Sequence, residues 1–288
     1  MGVIPNLLVS GVGLGAILGL LAFGFALSYW PSRQFHFAYA GVVVAASYTY
    51  WSLTIHGISW IIGLVVTLIV SAVLGVACYA LVYRRLTDSG AVFLSGFALS
   101  LILSNAIQWG FGSVPSLVQP PFASLGNVVE VGGLRIPILV IVELVIFLVV
   151  AGAISIAIYR SRLGVAVRGV SSDPDLAQAA GINSNRLLII VYAVGSMVAA
   201  IGAILLAYQS GISPNDGFNP MLFAINGMLV GGRRSFSGGA AGGFGLGVIL
   251  QLSLWKLPSA WQTTTAFVVL VIIVLVRPQG VFGRKVEA

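Results

Sequence analysis

The sequence has very little charge. Only 7% of its 288 residues are charged, against about a quarter in a soluble domain. Hydrophobic residues make up 59% of the chain and the mean hydropathy is +1.07, which excludes a water-exposed globular fold. Cysteine is scarcer still, and the single one, Cys78, lies in an apolar run. One chain can therefore form neither a disulfide framework nor a cysteine-based zinc site.

Nucleotide-binding and hydrolytic motifs are also missing. Lys256 and Lys285 are the only lysines, and neither follows the glycines of a G-x-x-x-x-G-K-[ST] phosphate loop. The sequence contains no H-E-x-x-H and no G-x-S-x-G, and its two histidines, His36 and His56, are predicted on opposite sides of a membrane. We therefore expect no catalytic residue, no metal site and no bound cofactor in this chain, and no nucleic acid as partner.

Long apolar runs fill most of the chain. A helix needs about 20 apolar residues to cross the hydrocarbon of a bilayer, and such runs recur from end to end. We predict an all-α, polytopic membrane bundle of about eight to nine helices that forms one domain over residues 1–288. The predicted spans are Leu7–Tyr29, Ala38–Ile55, Ser59–Tyr83, Ala91–Phe111, Ile136–Tyr159, Leu187–Tyr208, Asn219–Gly231, Gly238–Trp255 and Gln262–Val276.

The seventh span, Asn219–Gly231, is too short for an ordinary crossing helix. Its length fits a half-helix, a re-entrant segment or a helix extended by its neighbours. If all nine segments cross, Lys and Arg divide twelve to two between the two sides, which predicts the N-terminus outside and the C-terminus in the cytoplasm. The larger group is Arg33, Arg84, Arg85, Arg160, Arg162, Arg168, Arg186, Arg233, Arg234, Arg277, Arg284 and Lys285, and the smaller is Arg135 and Lys256.

Two glycine series predict close helix packing. Gly11, Gly15 and Gly19 recur at every fourth position in the first span, and the GGAAGGFGLG stretch has the same spacing in the eighth. Small residues at this spacing let helices approach closely in lipid. We expect both series to pack against other helices rather than to gate the passage of a solute.

The longest predicted cytoplasmic connection, residues 160–186, encodes a short helix with both ends marked. Asp173 suits the N-cap, Pro174 the first helical position, and Gly181 a left-handed residue past the end. A helix of about seven residues is not stable alone in water and needs a packing partner. Two interpretations are open: a connector lying on its own membrane domain, or a helix that docks into a separate cytoplasmic protein.

Four segments carry a resemblance to a known family. They are SRLGVAVRGVSSDPDLAQAAGIN, LLIIVYAVGSMVAAIGAILL, INGMLVGGRRSFSGGAAGGFGLG and VRPQGVFGR, with weaker similarity upstream through LVYRRL and HFAYAG. Together they resemble the permease subunits of branched-chain amino acid ABC importers, of the LivH-like type. The combination of loop and glycine stretch is specific, whereas each piece alone is weak.

The resemblance implies a permease subunit of an ABC importer, multi-pass in the bacterial inner membrane and not itself an enzyme. It implies a second permease subunit (a related chain or a second copy), two ATP-binding subunits that hold ATP and Mg, and an extracytoplasmic substrate-binding protein. In that family the short helix inserts into a groove of the ATP-binding subunit. Here that coupling role would fall on Arg168, Asp173, Asp175, Leu176, Ala180 and Gly181.

One segment departs from the family pattern. Family members commonly have Asn-Phe-Ala-His-Gly after the first span, whereas this chain has His36-Phe37-Ala38-Tyr39-Ala40. Branched-chain amino acids are the first expectation for the solute, and amides, urea and small carboxylates stay open. His36 and Tyr39 are predicted near the cytoplasmic membrane edge, where an interfacial aromatic belt explains Tyr39 without a ligand.

Polar residues inside the spans are candidates for the solute path, because they are costly in a membrane. Ser100, Ser104 and Gln108 recur at four-residue spacing in the fourth span, with Asn105 beside them. Hydrogen bonding between helices explains such a stripe equally well. Two further candidates are Glu143, the only acid well inside a span, and Asn226 in the short seventh span.

Two other classes of protein compete with the importer. An ion-coupled secondary transporter usually has several ionisable groups within the membrane and internal symmetry. One acid within the spans and no visible repeat argue against it. A membrane-embedded enzyme would need a cluster of catalytic groups that the sequence does not supply.

Overall fold

The computed structural model describes residues 3–86, 88–113, 116–121, 123–131, 134–232 and 235–283. Its α-helices are α1 Val3–Ser32, α2 Tyr39–Ile55, α3 Trp60–Ala77, α4 Ser89–Phe111, α5 Ile138–Arg160, α6 Arg162–Ser172, α7 Pro174–Ala179, α8 Ser184–Ser210, α9 Phe218–Gly231, α10 Phe236–Ser253 and α11 Gln262–Val276. A short antiparallel hairpin between α4 and α5 joins β1, Val128–Val131, to β2, Leu134–Pro137, with Val128 opposite Pro137.

Each predicted span coincides with a helix. Six apolar helical segments within the described residues are long enough to cross a bilayer, and α9 is a shorter apolar helix. The six are Val3–Ser32, Trp60–Arg85, Ser89–Phe111, Ile138–Arg160, Ser184–Ser210 and Ser259–Val276. The prediction of an all-α, multi-pass membrane protein is thereby confirmed, while eight to nine crossings exceed these six.

The centre of the bundle is α1. From Ala16 to Ser28 every residue of this helix is buried, and α10, α8, α9 and α5 surround it. The glycine series explain the close approach of α1 and α10. A Cβ added to Gly247 would lie 2.5 Å from the Cα of Gly15, and one added to Gly243 would lie 2.5 Å from the carbonyl oxygen of Leu18. The predicted packing role of both series is confirmed.

The outer helices are apolar on their exposed faces. Side chains such as Ile102 on α4, Leu148 on α5 and Leu275 on α11 are more than half exposed in the single chain. Apolar surface of this extent requires cover from lipid or from another chain. In a water-soluble bundle, by contrast, the outer faces of the helices are polar.

The chain between α8 and α9 enters the bundle without forming a helix. Ile212 pairs through both backbone hydrogen bonds with Ser116 in the α4–α5 connection, at 2.9 Å each, and packs in the same cluster as Val44 of α2. Gly217 then contacts Ala40 in the first turn of α2. Helix α9 therefore starts deep beside α2. Non-helical backbone at such depth is tolerated where it is buried in protein or lines a cavity.

The segment after α11 forms hydrogen bonds with the C-terminal end of α9. The backbone N–H of Val281 donates to the carbonyl of Val230 at 2.8 Å, and that of Phe282 donates to Gly231 at 3.1 Å. These bonds satisfy two carbonyls that a helix end otherwise leaves without partners. The VRPQGVFGR segment is therefore part of the fold up to Gly283.

Candidate functional site

The short helix predicted in the 160–186 connection forms as α7. The Asp173 carboxylate accepts hydrogen bonds from the backbone N–H groups of Asp175 and Leu176, both at 3.0 Å, and so caps the helix. Gly181 ends it with φ +85°, in the left-handed region that favours glycine. Both predicted end signals are confirmed as local structure.

The apolar side of α7 faces outward. Leu176 is 68% exposed, and Ala179 and Ala180 are also exposed, while Ala177 packs inward at 5% exposure. Leu176, Ala179 and Ala180 therefore form a small apolar face, and nothing within the described part of the chain covers it.

Two arginines hold α6, the helix that precedes α7, against the rest of the bundle. Arg168 on α6 donates to the carbonyl of Ile158 at the end of α5, and its guanidinium lies 5.7 Å from the ring centroid of Tyr159. Arg33, just past α1, donates to the carbonyls of Ser171 and Ser172, both at 3.1 Å. Arg168 therefore joins α6 to α5 and does not belong to the exposed face of α7.

Sequence reasoning missed Arg33, counting it only as a topology signal. It is a non-glycine residue with φ +53°, a conformation that costs about 1 kcal/mol or more for a residue with a Cβ. Its two bonds join the end of the central helix α1 to the residues that precede Asp173. No local pattern marks such a link, because its partners lie more than 130 positions away.

A cavity of about 400 Å³ lies between α1, α2, α8, α9 and α10. Its apolar wall includes Leu14, Leu18 and Phe223, and its polar wall includes Gln209 and Asp216. The non-helical segment between α8 and α9 forms one side of it. A second cavity, of about 290 Å³, lies on the other side of that segment, and Gly217 lines both.

The polar residues predicted to form one stripe on α4 do not all line the same space. Ser104 and Asn105 line the second cavity with Phe218, and the amide of Asn105 donates to the Leu101 carbonyl of its own helix at 2.8 Å. Gln108 instead donates to the Ser113 hydroxyl at 2.6 Å at the end of α4, and it lines neither cavity. Ser100 lines this cavity as well, so three members of the predicted stripe reach the same space.

Glu143 on α5 is fully buried and lies behind the larger cavity. Both of its carboxylate oxygens accept from the side-chain amide of Gln209 on α8, at 3.0 Å each. Gly13 on α1 leaves room for this pair, since a Cβ there would lie 2.5 Å from a carboxylate oxygen of Glu143. Glu143 therefore orients Gln209, and Gln209 lines the cavity.

Asn226 is buried on α9 and lines neither cavity. It is 1% exposed, and its amide nitrogen has no hydrogen-bond partner within the described residues. Its neighbour Gly227 faces α10, where an added Cβ would lie 2.6 Å from the Cα of Gly243. The structure thus separates Asn226 from the other predicted path residues.

His36 and Tyr39 lie in a buried aromatic cluster. Both are 0% exposed, and the rings of Tyr39, Tyr83 and Tyr192 surround the imidazole at centroid distances of 5.1 to 5.9 Å. The Tyr39 hydroxyl donates to the Leu21 carbonyl at 2.7 Å. The interfacial belt favoured for Tyr39 is therefore wrong, because the segment before α2 folds into the bundle. Burial lowers the pKa of His36 to about 3.

Taken together, fold and site define a multi-pass helical membrane protein with internal cavities and an outward-facing capped helix. The family described as "Branched-chain amino acid transport system / permease component" matches residues 7–276. The chain belongs to this family, and the resemblance carried by the four motif segments is confirmed.

Individual relatives match over nearly the full chain. The high-affinity branched-chain amino acid transport system permease protein BraD of Pseudomonas aeruginosa is 28% identical, over 96% of this chain and 95% of its own length. LivH of Escherichia coli K12, whose name describes the same system, is 28% identical over 96% and 94%. A probable branched-chain amino acid transport permease protein LivH of Methanocaldococcus jannaschii is 24% identical over 93% and 89%.

Sequence reasoning missed the residues that build the cavities. Gln209 and Asp216 both lie in the connection between the predicted spans Leu187–Tyr208 and Asn219–Gly231, and neither has a predicted role. The only available signal was the polar run between two apolar spans, SPND at residues 213–216, directly before the short seventh span.

Proposed function

We propose that the chain is the permease subunit of an ABC importer that carries a small solute, with branched-chain amino acids first in line. The observation that carries the proposal is α7, a helix capped at both ends whose apolar face is turned outward. The family to which the chain belongs supports it, as do relatives named for branched-chain amino acid transport.

Coupling to ATP hydrolysis would then depend on α7. Leu176, Ala180 and Asp175 present the surface that enters the ATP-binding subunit, while Asp173 and Gly181 fix the two ends of the helix. Arg168 would support α7 indirectly, because it holds α6 against α5. Arg33 would do so by holding α6 against the end of α1. Movement of α7 would therefore reach the central helix of the bundle through the two backbone carbonyls that Arg33 binds.

The solute path would run through the two cavities beside the α8–α9 segment. Ser104 and Asn105 line the smaller one, and Glu143 acts on the larger one through Gln209. Gln108 and Asn226, which line neither cavity, would act by bonding between helices or to a neighbouring chain.

The complete importer would contain further subunits in the bacterial inner membrane and at its surfaces. Because this chain has no phosphate loop, two ATP-binding subunits would hold ATP and Mg. A second permease subunit, related or identical, would cover part of the exposed apolar surface. An extracytoplasmic binding protein would deliver the solute.

The test is co-purification from the native host, followed by an ATPase assay in lipid with and without the leucine-loaded binding protein. We expect the tagged chain to bring ATP-binding subunits with it and ATP hydrolysis to rise when the binding protein is added. A stable single chain that transports without ATP would overturn the proposal in favour of a secondary transporter.

A further inference from the structure

The larger cavity has an uneven distribution of charge. Asp216 is the only charged residue among the described residues that line it, and no Lys, Arg or His lines it. The Asp216 carboxylate has no ion-pair partner within the described part of the chain, and it is exposed to the cavity side of the α8–α9 segment. An unpaired carboxylate in a cavity between helices attracts a cation or an ammonium group and repels anionic solutes.

Hydrogen-bond donors without partners adjoin this carboxylate. Tyr48 lines the same cavity, its side chain is 2% exposed, and its hydroxyl has no hydrogen-bond partner within the described residues. The N-terminus of α9 opens at Gly217 and Asn219, which also line the cavity, and no side chain caps it. The positive end of the helix dipole favours a carboxylate there.

Apolar side chains form one part of the wall, and Ser47, Ser210 and Gln251 are among the further polar residues that line it. Leu14 and Leu18 of α1, Val43 of α2 and Phe223 of α9 face the same space. A cavity of about 400 Å³ holds a solute of the size of leucine together with a few water molecules. The amide of Gln209, held by Glu143, supplies a fixed polar group beside this wall.

We propose that this cavity is a solute site for a zwitterionic amino acid with an apolar side chain, in which Asp216 binds the α-ammonium group. The α-carboxylate faces the Tyr48 hydroxyl and the N-terminal end of α9. The side chain packs on Leu14, Leu18 and Phe223. This inference rests on the proposed function and goes beyond it, because it places selectivity for the ammonium group in the permease itself.

The experiment uses the complete importer in lipid nanodiscs without the binding protein. Binding of radiolabelled leucine is measured directly, and two analogues compete with it: 4-methylpentanoate, which lacks the ammonium group, and 3-methylbutylamine, which lacks the carboxylate. We expect Asp216→Asn to weaken the binding of leucine and 3-methylbutylamine at least about tenfold, and to leave the binding of the anion 4-methylpentanoate unchanged or stronger because the repelling charge is removed. Tyr48→Phe should weaken leucine and spare 3-methylbutylamine. Glu130→Gln, on the exposed β1–β2 hairpin, is the matched control for loss of a carboxylate.

The inference is overturned if parental importer binds no leucine, if Asp216→Asn keeps leucine affinity within twofold, or if it weakens all three ligands equally. The same preparations are assayed for ATP hydrolysis with leucine-loaded binding protein. A parental importer that does not respond contradicts the proposed function. A parental importer that responds, together with an Asp216→Asn variant that binds leucine and 3-methylbutylamine with parental affinity, contradicts the solute site alone.

Discussion

His36 shows how a single buried side chain makes stability depend on pH. Burial among Tyr39, Tyr83 and Tyr192 holds its pKa at about 3, against 6.5 for an exposed histidine. Between these two values the unfolded chain binds a proton that the folded chain does not. The free energy of unfolding therefore falls as pH falls below about 6.5, by about 2 kcal/mol at pH 5.

The corresponding prediction uses the residue that the family commonly has at this position. His36→Asn cannot titrate, so we expect its midpoint of thermal unfolding in detergent to change less between pH 7 and pH 5 than that of the parental chain. His56→Asn, in the exposed turn after α2, serves as the control. Equal pH slopes for the parental chain and His36→Asn would contradict the buried, neutral imidazole.

At the scale of elements, the position of each helix is encoded more clearly than the direction in which it faces. All nine predicted spans became helices, and α7 formed between Asp173 and Gly181 with both predicted end signals. A helix that is apolar on every side carries no amphipathic pattern, so its buried face cannot be predicted from periodicity. Only the glycine series indicated a face, because close packing needs small residues.

Other elements had no recognisable signal. The α3 helix continues as a π-helical turn, Cys78–Val82, and a 3-10 turn, Tyr83–Arg85, which present Tyr79 and Tyr83 to the His36 cluster. The entry of the α8–α9 segment depends on Ser116 and Ala40, which are distant in sequence. The candidate site follows from such contacts, and for this reason the predicted stripe on α4 was only partly correct.

Two nearby glycines of α10, Gly243 and Gly245, allow the packing of α10 on α1 to be tested against a matched control. A side chain at Gly243 would meet the Leu18 carbonyl oxygen at 2.5 Å and the Ala22 side chain at 2.7 Å, whereas nothing lies within 4 Å of a Cβ at Gly245. Gly243→Ala must push the two helices apart. Gly245→Ala only adds helix propensity, about 0.5–1 kcal/mol in favour of folding.

We therefore expect Gly243→Ala to lower the yield of folded protein and its midpoint of thermal unfolding in detergent, and Gly245→Ala to leave both unchanged or slightly raised. Size-exclusion chromatography after heating measures the folded fraction. If both variants behave alike, α1 and α10 do not pack through this glycine face.

At the scale of the whole molecule, the distribution of arginines predicts which end of the bundle faces the cytoplasm. Arg84, Arg85, Arg160, Arg162 and Arg186 lie at the end where α7 also lies. Arg233, Arg234, Arg284 and Lys285, which belong to the same predicted side, fall outside the described residues. With the N-terminus outside, Lys256 and Arg135 remain on the opposite side, as the positive-inside rule requires.

Labelling of single cysteines tests this orientation. In a Cys78→Ala background, Arg84→Cys and Gln119→Cys are placed at exposed positions before α4 and in the α4–α5 connection. We expect a membrane-impermeant maleimide to label Gln119→Cys in intact cells and Arg84→Cys only after the membrane is opened. Labelling of both from the same side would defeat the topology, and a reversed pattern would place α7 outside.

The central claim is that α7 couples this permease to ATP hydrolysis. Leu176→Asp places a charge in the exposed apolar face, and Gly181→Val strains a residue at φ +85° around which nothing lies within 4 Å, so neither change disturbs the packing of the bundle. The decisive measurement is ATP hydrolysis stimulated by the binding protein, on importer reconstituted with each variant. In both variants we expect normal insertion, weak retention of the ATP-binding subunits and loss of stimulation. Parental stimulation and retention in both would contradict the central claim and leave α7 a connector.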